Sequence, residues 1–460
     1  SSRRFTTPPA PRSTQPEPDR QPQRPVRSPG SRIRLECPKS THGEDRELKW
    51  TLSLAGLVSG LMLAMACDAE QSGRPASLTL ANFQFGPGNR WAFSHMREVI
   101  PTVNIAHEGR RVRPLPISAS ADNALAIPFQ GKEQTIDEIA VHQYIDGILI
   151  IKDGEIVTER YFGHLSAEKP HLMMSVTKSV VGALAGRLAA DGVIDLSGTV
   201  ADYVPELADS GWGPDSLRAL LDMRDGADYT EDYEDMSSTV RQQDCAVGWT
   251  DADYCPKDGP RGGYAFYPTV GRNESNLGKF VYKSGSTDVI GWVLESATGT
   301  PLAELISTYI WKPMGAEYDA NITVDASGFV LGDGGMSSTL RDLGRFGLLI
   351  LDDGKAFGEQ VVPADFISDL HDQPGDPDWP YGSGVDDESP YYRSFWWGRG
   401  NPGRDIRGLG VHGQYLHVAP ADNIVIAMYS SWPRADGDAK NHGWSHAYAL
   451  ASGIIEEIGD

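Results

Sequence analysis

The sequence predicts an α+β fold in which strands from both ends of the main part of the chain pair into one antiparallel sheet, with a helical insertion between them. Three observations predict it. Residues 143–161 hold two β-rich arms around Asp153-Gly154. Residues 197–350 alternate helical stretches with loops rich in Gly, Asp and Tyr, and residues 411–432 return to strands before a last helix.

The elements follow in chain order. Residues 1–48 read as a disordered, basic, proline-rich segment: up to Lys49 there are 11 Lys and Arg against 6 Asp and Glu, with almost no apolar periodicity. The whole chain has 41 basic and 63 acidic residues, so the remainder carries 30 and 57, a net of −27. Such a surface repels nucleic acid and anionic membranes, and no nucleic-acid partner is expected. Solubility explains the charge ahead of any attraction for cationic substrates.

Residues 49–67 read as a signal peptide or lipoprotein-like segment. Thr51 to Ala66 is apolar, but its 16 residues are short for a membrane span, and the ending Ala64-Met65-Ala66 suits cleavage at or before Cys67. Cys67 resembles the lipidated cysteine of a bacterial lipoprotein. The expected location is therefore the periplasm or a membrane-anchored lipoprotein with a lipid anchor at Cys67, and the catalytic domain is expected over 68–460. Cys245 and Cys255 remain as an isolated pair that an oxidising compartment permits to bridge. Neither has metal-ligand spacing with a histidine, and no metal or cofactor is expected.

Asp153-Gly154 between β-rich arms predicts a hairpin with a two-residue I′ turn. Directly after it, Ser175-Val176-Thr177-Lys178 opens an apolar helical run ending near Gly192. A three-residue spacing projects the hydroxyl and the ammonium from one helix face, close enough for the amine to take the serine proton. A helix N-terminus there would also depress the lysine pKa. The bland reading is a capping serine beside a solvated lysine. A second Ser-x-x-Lys, Ser166 to Lys169, is set aside because Pro170 follows and no helical repeat continues it. Further helices are expected at SLRALLDM, DVIGWVLESATG, PLAELISTYIWKPM and LRDLGRFGLLILDDG. VHGQYLHVAP and NIVIAMYSSW are expected strands around a turn at Ala421 to Asn423, and a final helix is expected from His446 to Ile458.

A lysine-activated serine needs a proton carrier for the leaving group, and a phenol held near ammonium groups serves. Tyr282, before Ser284 at the mouth of a helix, fits that role. Tyr-x-Ser recurs at Tyr392 and Tyr429, so order along the chain gives Tyr282 its weight.

On these residues the chain resembles the penicillin-recognising serine hydrolases of the class C β-lactamase type, and among them the nylon-oligomer amidases, the 6-aminohexanoate-dimer hydrolases. The similarity runs over most of 84–460. It includes Asn89, Arg90 and Trp91 with His95, Arg97 and Glu98; Ser175 to Lys178; Tyr229, Glu231, Asp232 and Tyr233; Tyr282 and Ser284; Asp333, Gly334 and Gly335; His412, Gly413 and Gln414; and Ser430 to Pro433. The resemblance implies a β-lactamase/transpeptidase-like fold. It also implies attack by Ser175, proton acceptance by Lys178 and proton relay by Tyr282. The N–H of Ser175 and one from Leu409 to Gln414 would form an oxyanion hole. Tyr229 would hydrogen-bond the substrate amide or, alternatively, anchor a loop. Ser284, His412, Gly413 and Gln414 would border the substrate. Asp333 would meet a substrate ammonium, or serve as a turn aspartate. His446 aligns loosely with a family histidine, and a structural role is the expectation.

Two departures separate the chain from true β-lactamases: His412-Gly413-Gln414 replaces Lys-Thr-Gly, and Ser284 replaces an asparagine. A carboxylate-binding lysine is thus missing, which argues against efficient β-lactam hydrolysis. The expected function is a serine hydrolase cleaving short linear amides through an acyl-enzyme on Ser175. The alternatives are a carboxylesterase of the same type and a non-catalytic, penicillin-binding-like surface lipoprotein, which the intact Ser175, Lys178 and Tyr282 argue against. The partner is a small amide or ester substrate, and a homodimer is one arrangement open to the chain. No Gly-x-Ser-x-Gly elbow occurs, which argues against an α/β-hydrolase.

Overall fold

The computed structural model describes residues 73–108, 111–371 and 391–459. The segments expected over 1–48 and 49–67, with Cys67, lie outside the described residues. Strands β1 (Thr102–Ile105), β2 (Ala126–Phe129), β3 (Lys132–Thr135), β4 (Ile145–Lys152), β5 (Glu155–Tyr161) and β6 (His171–Leu172) precede the Ser175 helix, Val176–Ala190. Strands β7 (Ala320–Thr323), β8 (Met336–Ser338), β9 (Lys355–Ala356), β10 (Glu359–Gln360), β11 (Tyr391–Arg393), β12 (Trp396–Gly398), β13 (Ile406–Gly410), β14 (Gln414–Ala419) and β15 (Ile424–Ser430) follow the helical insertion.

The main sheet is antiparallel in the order β11-β12-β13-β14-β15-β4-β5. The hairpin β4–β5 therefore completes a sheet whose other strands come from the C-terminal part: Ile150 pairs with Ile426 and Ile148 with Met428. The run Ile148-Leu149-Ile150-Ile151 is apolar without alternation because both faces of β4 are covered. Leu149 and Ile151 enter the core with the helix Leu340–Leu351, and Ile148 and Ile150 enter a second core with the C-terminal helix Trp444–Ile458. The turn between β4 and β5 has positive φ at both central residues, 53° at Asp153 and 79° at Gly154, as a I′ turn requires.

A smaller sheet, β1-β7-β8-β6, does the local work of the site. Leu172 pairs with Ser337, and Met173 N–H donates to the Met336 carbonyl at 2.8 Å, which sets the Asp333-Gly334-Gly335 segment beside the approach to Ser175. The Ser175 helix is buried nearly all round, as its uniformly apolar and small side chains demand.

Boundaries differ from expectation in three places. The C-terminal helix starts at Trp444, two residues before His446. The β14 strand starts at Gln414, since His412 and Gly413 take left-handed φ of 64° and 86° and cannot continue an extended run. The helix after Pro301 is interrupted by a π-helical turn, Ser307–Trp311. Among the described residues no helix is long and apolar enough to cross a membrane.

Candidate active site

Ser175 stands at the N-cap of its helix, and its hydroxyl does not cap the helix backbone. The residue before it, Met174, has φ of 45°, a left-handed conformation that costs a non-glycine residue about 1 kcal/mol or more. The strain turns the chain sharply out of β6 and leaves the hydroxyl for another partner. That partner is Lys178, whose Nζ donates to Ser175 Oγ at 2.8 Å and to the Asp333 carbonyl at 2.6 Å. Lys178 is 1% exposed, so the solvated alternative is excluded. The decoy at 166–169 is a turn, with Lys169 Nζ donating to the His164 carbonyl.

Tyr282 closes the group. Its phenol faces Ser175 and Lys178, and the lysine ammonium lies 5.4 Å from the centre of its ring. Trp397 stacks on the ring at 5.4 Å and 16°, while Tyr392 meets it edge-on at 5.9 Å, so the phenol has little rotational freedom. Burial pushes the Tyr282 phenol up, against the pull of Lys178. For Lys178 burial is the largest effect and pulls the ammonium down, but the charges of Tyr282, Asp333, Glu231 and Asp288 together reverse it and the net direction is up. The expected depression of the lysine therefore does not hold: buried anions outweigh the helix N-terminus and the desolvation.

Glu231 is the principal one of these anions to face the cavity. It accepts Ser284 N–H at 2.7 Å, Ser284 Oγ at 2.5 Å and Tyr233 Oη at 2.5 Å, which ties the helix Ser284–Thr298 to the loop carrying Tyr233. Burial raises its carboxyl, opposed by Lys178 and these hydrogen bonds. Ser284 is thus a partner of Glu231. Asp333 accepts Gln243 Nε2 at 2.8 Å, and its N–H donates to buried Asp288 at 2.8 Å. Tyr229 is 2% exposed and its hydroxyl donates to Gln243 Oε1 at 2.7 Å. That phenol, expected to bond the substrate amide, is committed to Gln243. Tyr229 and Tyr233 both line the cavity, and of the two it is the Tyr233 ring that is partly exposed.

His412, Gly413 and Gln414 depart from their expected role. His412 is buried, its Nδ1 lies 2.7 Å from the Trp432 carbonyl, and burial pulls its pKa down to about 4. Gln414 Nε2 donates to the Ser430 carbonyl at 2.7 Å. Gly413 packs under the Trp432 ring. All three brace the end of β15, and the cavity is bordered instead by Leu409 and Val411. Just before them, Gly410 lies so close to the nucleophile turn that a Cβ would stand 2.7 Å from the Met173 carbonyl oxygen and 3.0 Å from Ser175 N. Ser175 N–H donates to no backbone carbonyl among the described residues.

The site opens into a cavity of about 670 Å³ between Ser175, Glu231, Tyr233, Tyr282, Trp397, Leu409, Val411 and Trp444. Behind Ser175 a recess of about 40 Å³ is walled by Gln84, Gln243, Asp244, Trp249 and Asp333. Asp244 pairs with Arg241 at 2.5 Å, and burial, opposed by Arg241, pushes its carboxyl up to about 7. Sequence reasoning gave no role to Gln243, Asp288 or Trp397, since each depends on a partner far along the chain, nor to Asp244, whose pairing with Arg241 three residues before it reads as an ordinary helix ion pair. The 3.6-residue period of VRQQDCAV is the signal that places Gln243 and Val240 on one face. His446 is buried near Phe129, away from the cavity lining, as a structural histidine.

An α+β domain with a buried serine and lysine in contact, faced by a tyrosine, defines a serine hydrolase of the β-lactamase and transpeptidase class. The chain belongs to the Beta-lactamase family, which it matches over residues 134–451. It is 35% identical over 390 residues to the 6-aminohexanoate-dimer hydrolase of Paenarthrobacter ureafaciens, covering 83% of this chain and 93% of that one. Among solved structures it is similar to a Bacillus anthracis protein named for the same hydrolase, with a TM-score of 0.73 and 24% identity over 85% of this chain and all of that one. A penicillin binding protein from Bacillus halodurans shares the fold, with a TM-score of 0.52 and 13% identity over 70% of this chain and 99% of that one.

Proposed function

We propose that this hydrolase cleaves short linear amides bearing a free ammonium end, through an acyl-enzyme on Ser175. The observation that carries the reading is the 2.8 Å contact of Lys178 Nζ with Ser175 Oγ, closed by Tyr282. At rest the upward shifts of both groups leave Lys178 an ammonium and Tyr282 a phenol. After the pair has lost one proton, it accepts the proton of Ser175 as the oxygen attacks the amide carbon. The carbonyl oxygen becomes an oxyanion held by the N–H groups of Ser175 and Val411. Tyr282 then returns the proton to the departing amine, and water repeats the sequence on the ester to release the acid.

The ammonium end is supported by the recess behind Ser175. Of its two carboxylates, Asp244 is paired with Arg241 and Asp333 acts on Lys178, and a substrate ammonium would hold Asp244 ionised well below pH 7. The 35% identical relative, a 6-aminohexanoate-dimer hydrolase by name, agrees with a linear amide of this kind. The absence of Lys-Thr-Gly, with β15 braced by His412 and Gln414 in its place, speaks against β-lactams.

A panel of an aminohexanoate dimer, p-nitrophenyl butyrate and nitrocefin tests the reading. The dimer and the ester are hydrolysed, nitrocefin at most poorly, and Ser175→Ala removes all turnover. Turnover of nitrocefin above the dimer, or of the ester alone, would refute the amidase assignment.

A further inference from the structure

We infer that the Cys245–Cys255 cystine is a positioning element for substrate specificity, holding the helix Thr239–Val247 so that Gln243 and Asp244 stay aimed into the recess behind Ser175. This rests on the amidase reading above. The two cysteines are bonded, with Cα atoms 5.5 Å apart, and both are buried. Cys245 directly follows Asp244, and Asp244 follows Gln243, so the bridge is fixed to the same turn that carries both recess residues.

On the inner side Gln243 is held by Tyr229 and Asp333, and Asp244 by Arg241; the bridge ties the same turn on its outer, loop side. The helix is nine residues long, and a helix of that length is marginal without tertiary ties. It ends at Gly248 in a left-handed cap, and both Gly248 N–H and Trp249 N–H converge on the carbonyl of Asp244. The chain then runs out through a surface loop, in which Asp253 and Tyr254 are exposed, and returns where Gly262 N–H donates to the Ala246 carbonyl at 2.8 Å. Cys255 pins the middle of this excursion. Trp249 also walls the recess and donates through Nε1 to Thr323 Oγ1 at 3.2 Å, so movement of the turn would be felt on two sides of the recess.

Ser175, Lys178 and Tyr282 sit on other elements: the Ser175 helix, and the segment before the Ser284–Thr298 helix, whose register is set by Glu231. Loosening the Gln243–Asp244 turn therefore affects the grip on an ammonium end and spares the chemistry of an uncharged ester.

The test is the double variant Cys245→Ser, Cys255→Ser beside the wild-type protein, with KM and kcat measured from pH 5.5 to 8.5 on an aminohexanoate dimer and on p-nitrophenyl butyrate. The expected result is a KM for the dimer raised about tenfold, the size of one weakened charge-assisted hydrogen bond, with ester kcat within about twofold of wild type. The inflection of dimer KM near pH 7 should also flatten, which a purely structural bridge would not cause. Unchanged dimer KM, or equal losses on both substrates, would overturn the inference. If the double variant does not fold, the folded wild-type protein reduced by a phosphine supplies the same comparison. Wild-type enzyme that hydrolyses the ester and not the dimer would instead refute the underlying amidase reading.

Discussion

Gly410→Ala puts the oxyanion assignment under the strongest strain. The added Cβ would lie 2.7 Å from the Met173 carbonyl oxygen and 3.0 Å from Ser175 N, where ordinary contact begins at 3.4 Å. Both neighbours are backbone, so no side-chain rotation relieves the clash. Either the end of β13 or the nucleophile turn must retreat by several tenths of an ångström, and each carries one proposed oxyanion donor. Losing one such donor costs about 10²–10³ in kcat, and misplacement approaching 1 Å costs about 10². We therefore expect kcat for both p-nitrophenyl butyrate and the dimer to fall about 10²-fold with KM nearly unchanged, and stability to fall by about 1–3 kcal/mol as for an overpacked core position. Stopped-flow release of p-nitrophenol and thermal unfolding read the two effects separately. A folded Gly410→Ala enzyme with wild-type kcat would refute the placement of the oxyanion hole at the end of β13.

Other perturbations read other parts of the site. Glu231→Gln removes an anion that raises both Lys178 and Tyr282, and activity requires their deprotonated pair. Its kcat/KM should therefore rise with pH along a limb shifted to lower pH than wild type; a limb unmoved or shifted upward would show that Glu231 does not act on the pair. Asp244→Asn should raise KM for the dimer and abolish its rise below pH 7, where wild-type Asp244 takes up a proton, while leaving the ester's KM alone. Equal KM changes on both substrates would remove Asp244 from ammonium recognition. Tyr229→Phe strands Gln243 Oε1 and should cost about 1–3 kcal/mol in denaturant unfolding, with amide turnover reduced severalfold at most. A selective loss of amide hydrolysis by orders of magnitude would return Tyr229 to direct substrate contact.

The legible parts of the sequence were those where local pattern and tertiary demand coincide. The run Ile148 to Ile151 between polar ends, the positive-φ pair Asp153-Gly154 and the three-residue spacing of Ser175 and Lys178 each state a local geometry that the fold retains. The Cys245–Cys255 bridge joins them because, with Cys37 and Cys67 assigned to the leading segments, these two were the cysteines left to pair. What could not be read was the direction in which side chains leave loops. Tyr229 and Tyr233 are four residues apart in one irregular segment, yet one phenol is spent on Gln243 and the other on Glu231. His412-Gly413-Gln414 occupies the place of a substrate-binding triplet, but positive φ at His412 and Gly413 turns its side chains toward β15. The charge state of Lys178 was equally hidden, since the Asp288, Glu231 and Asp333 that decide it come from three separate segments.

Trapping the acyl-enzyme tests the central claim most directly. The enzyme is mixed with p-nitrophenyl butyrate, quenched in acid within milliseconds to seconds, digested and mapped by mass spectrometry. A butyryl adduct on Ser175, appearing with the burst of p-nitrophenol and absent from Ser175→Ala, is the expected result. Full turnover with no adduct, or an adduct on another residue whose replacement stops hydrolysis while Ser175→Ala remains active, would contradict the assignment of Ser175 as the nucleophile.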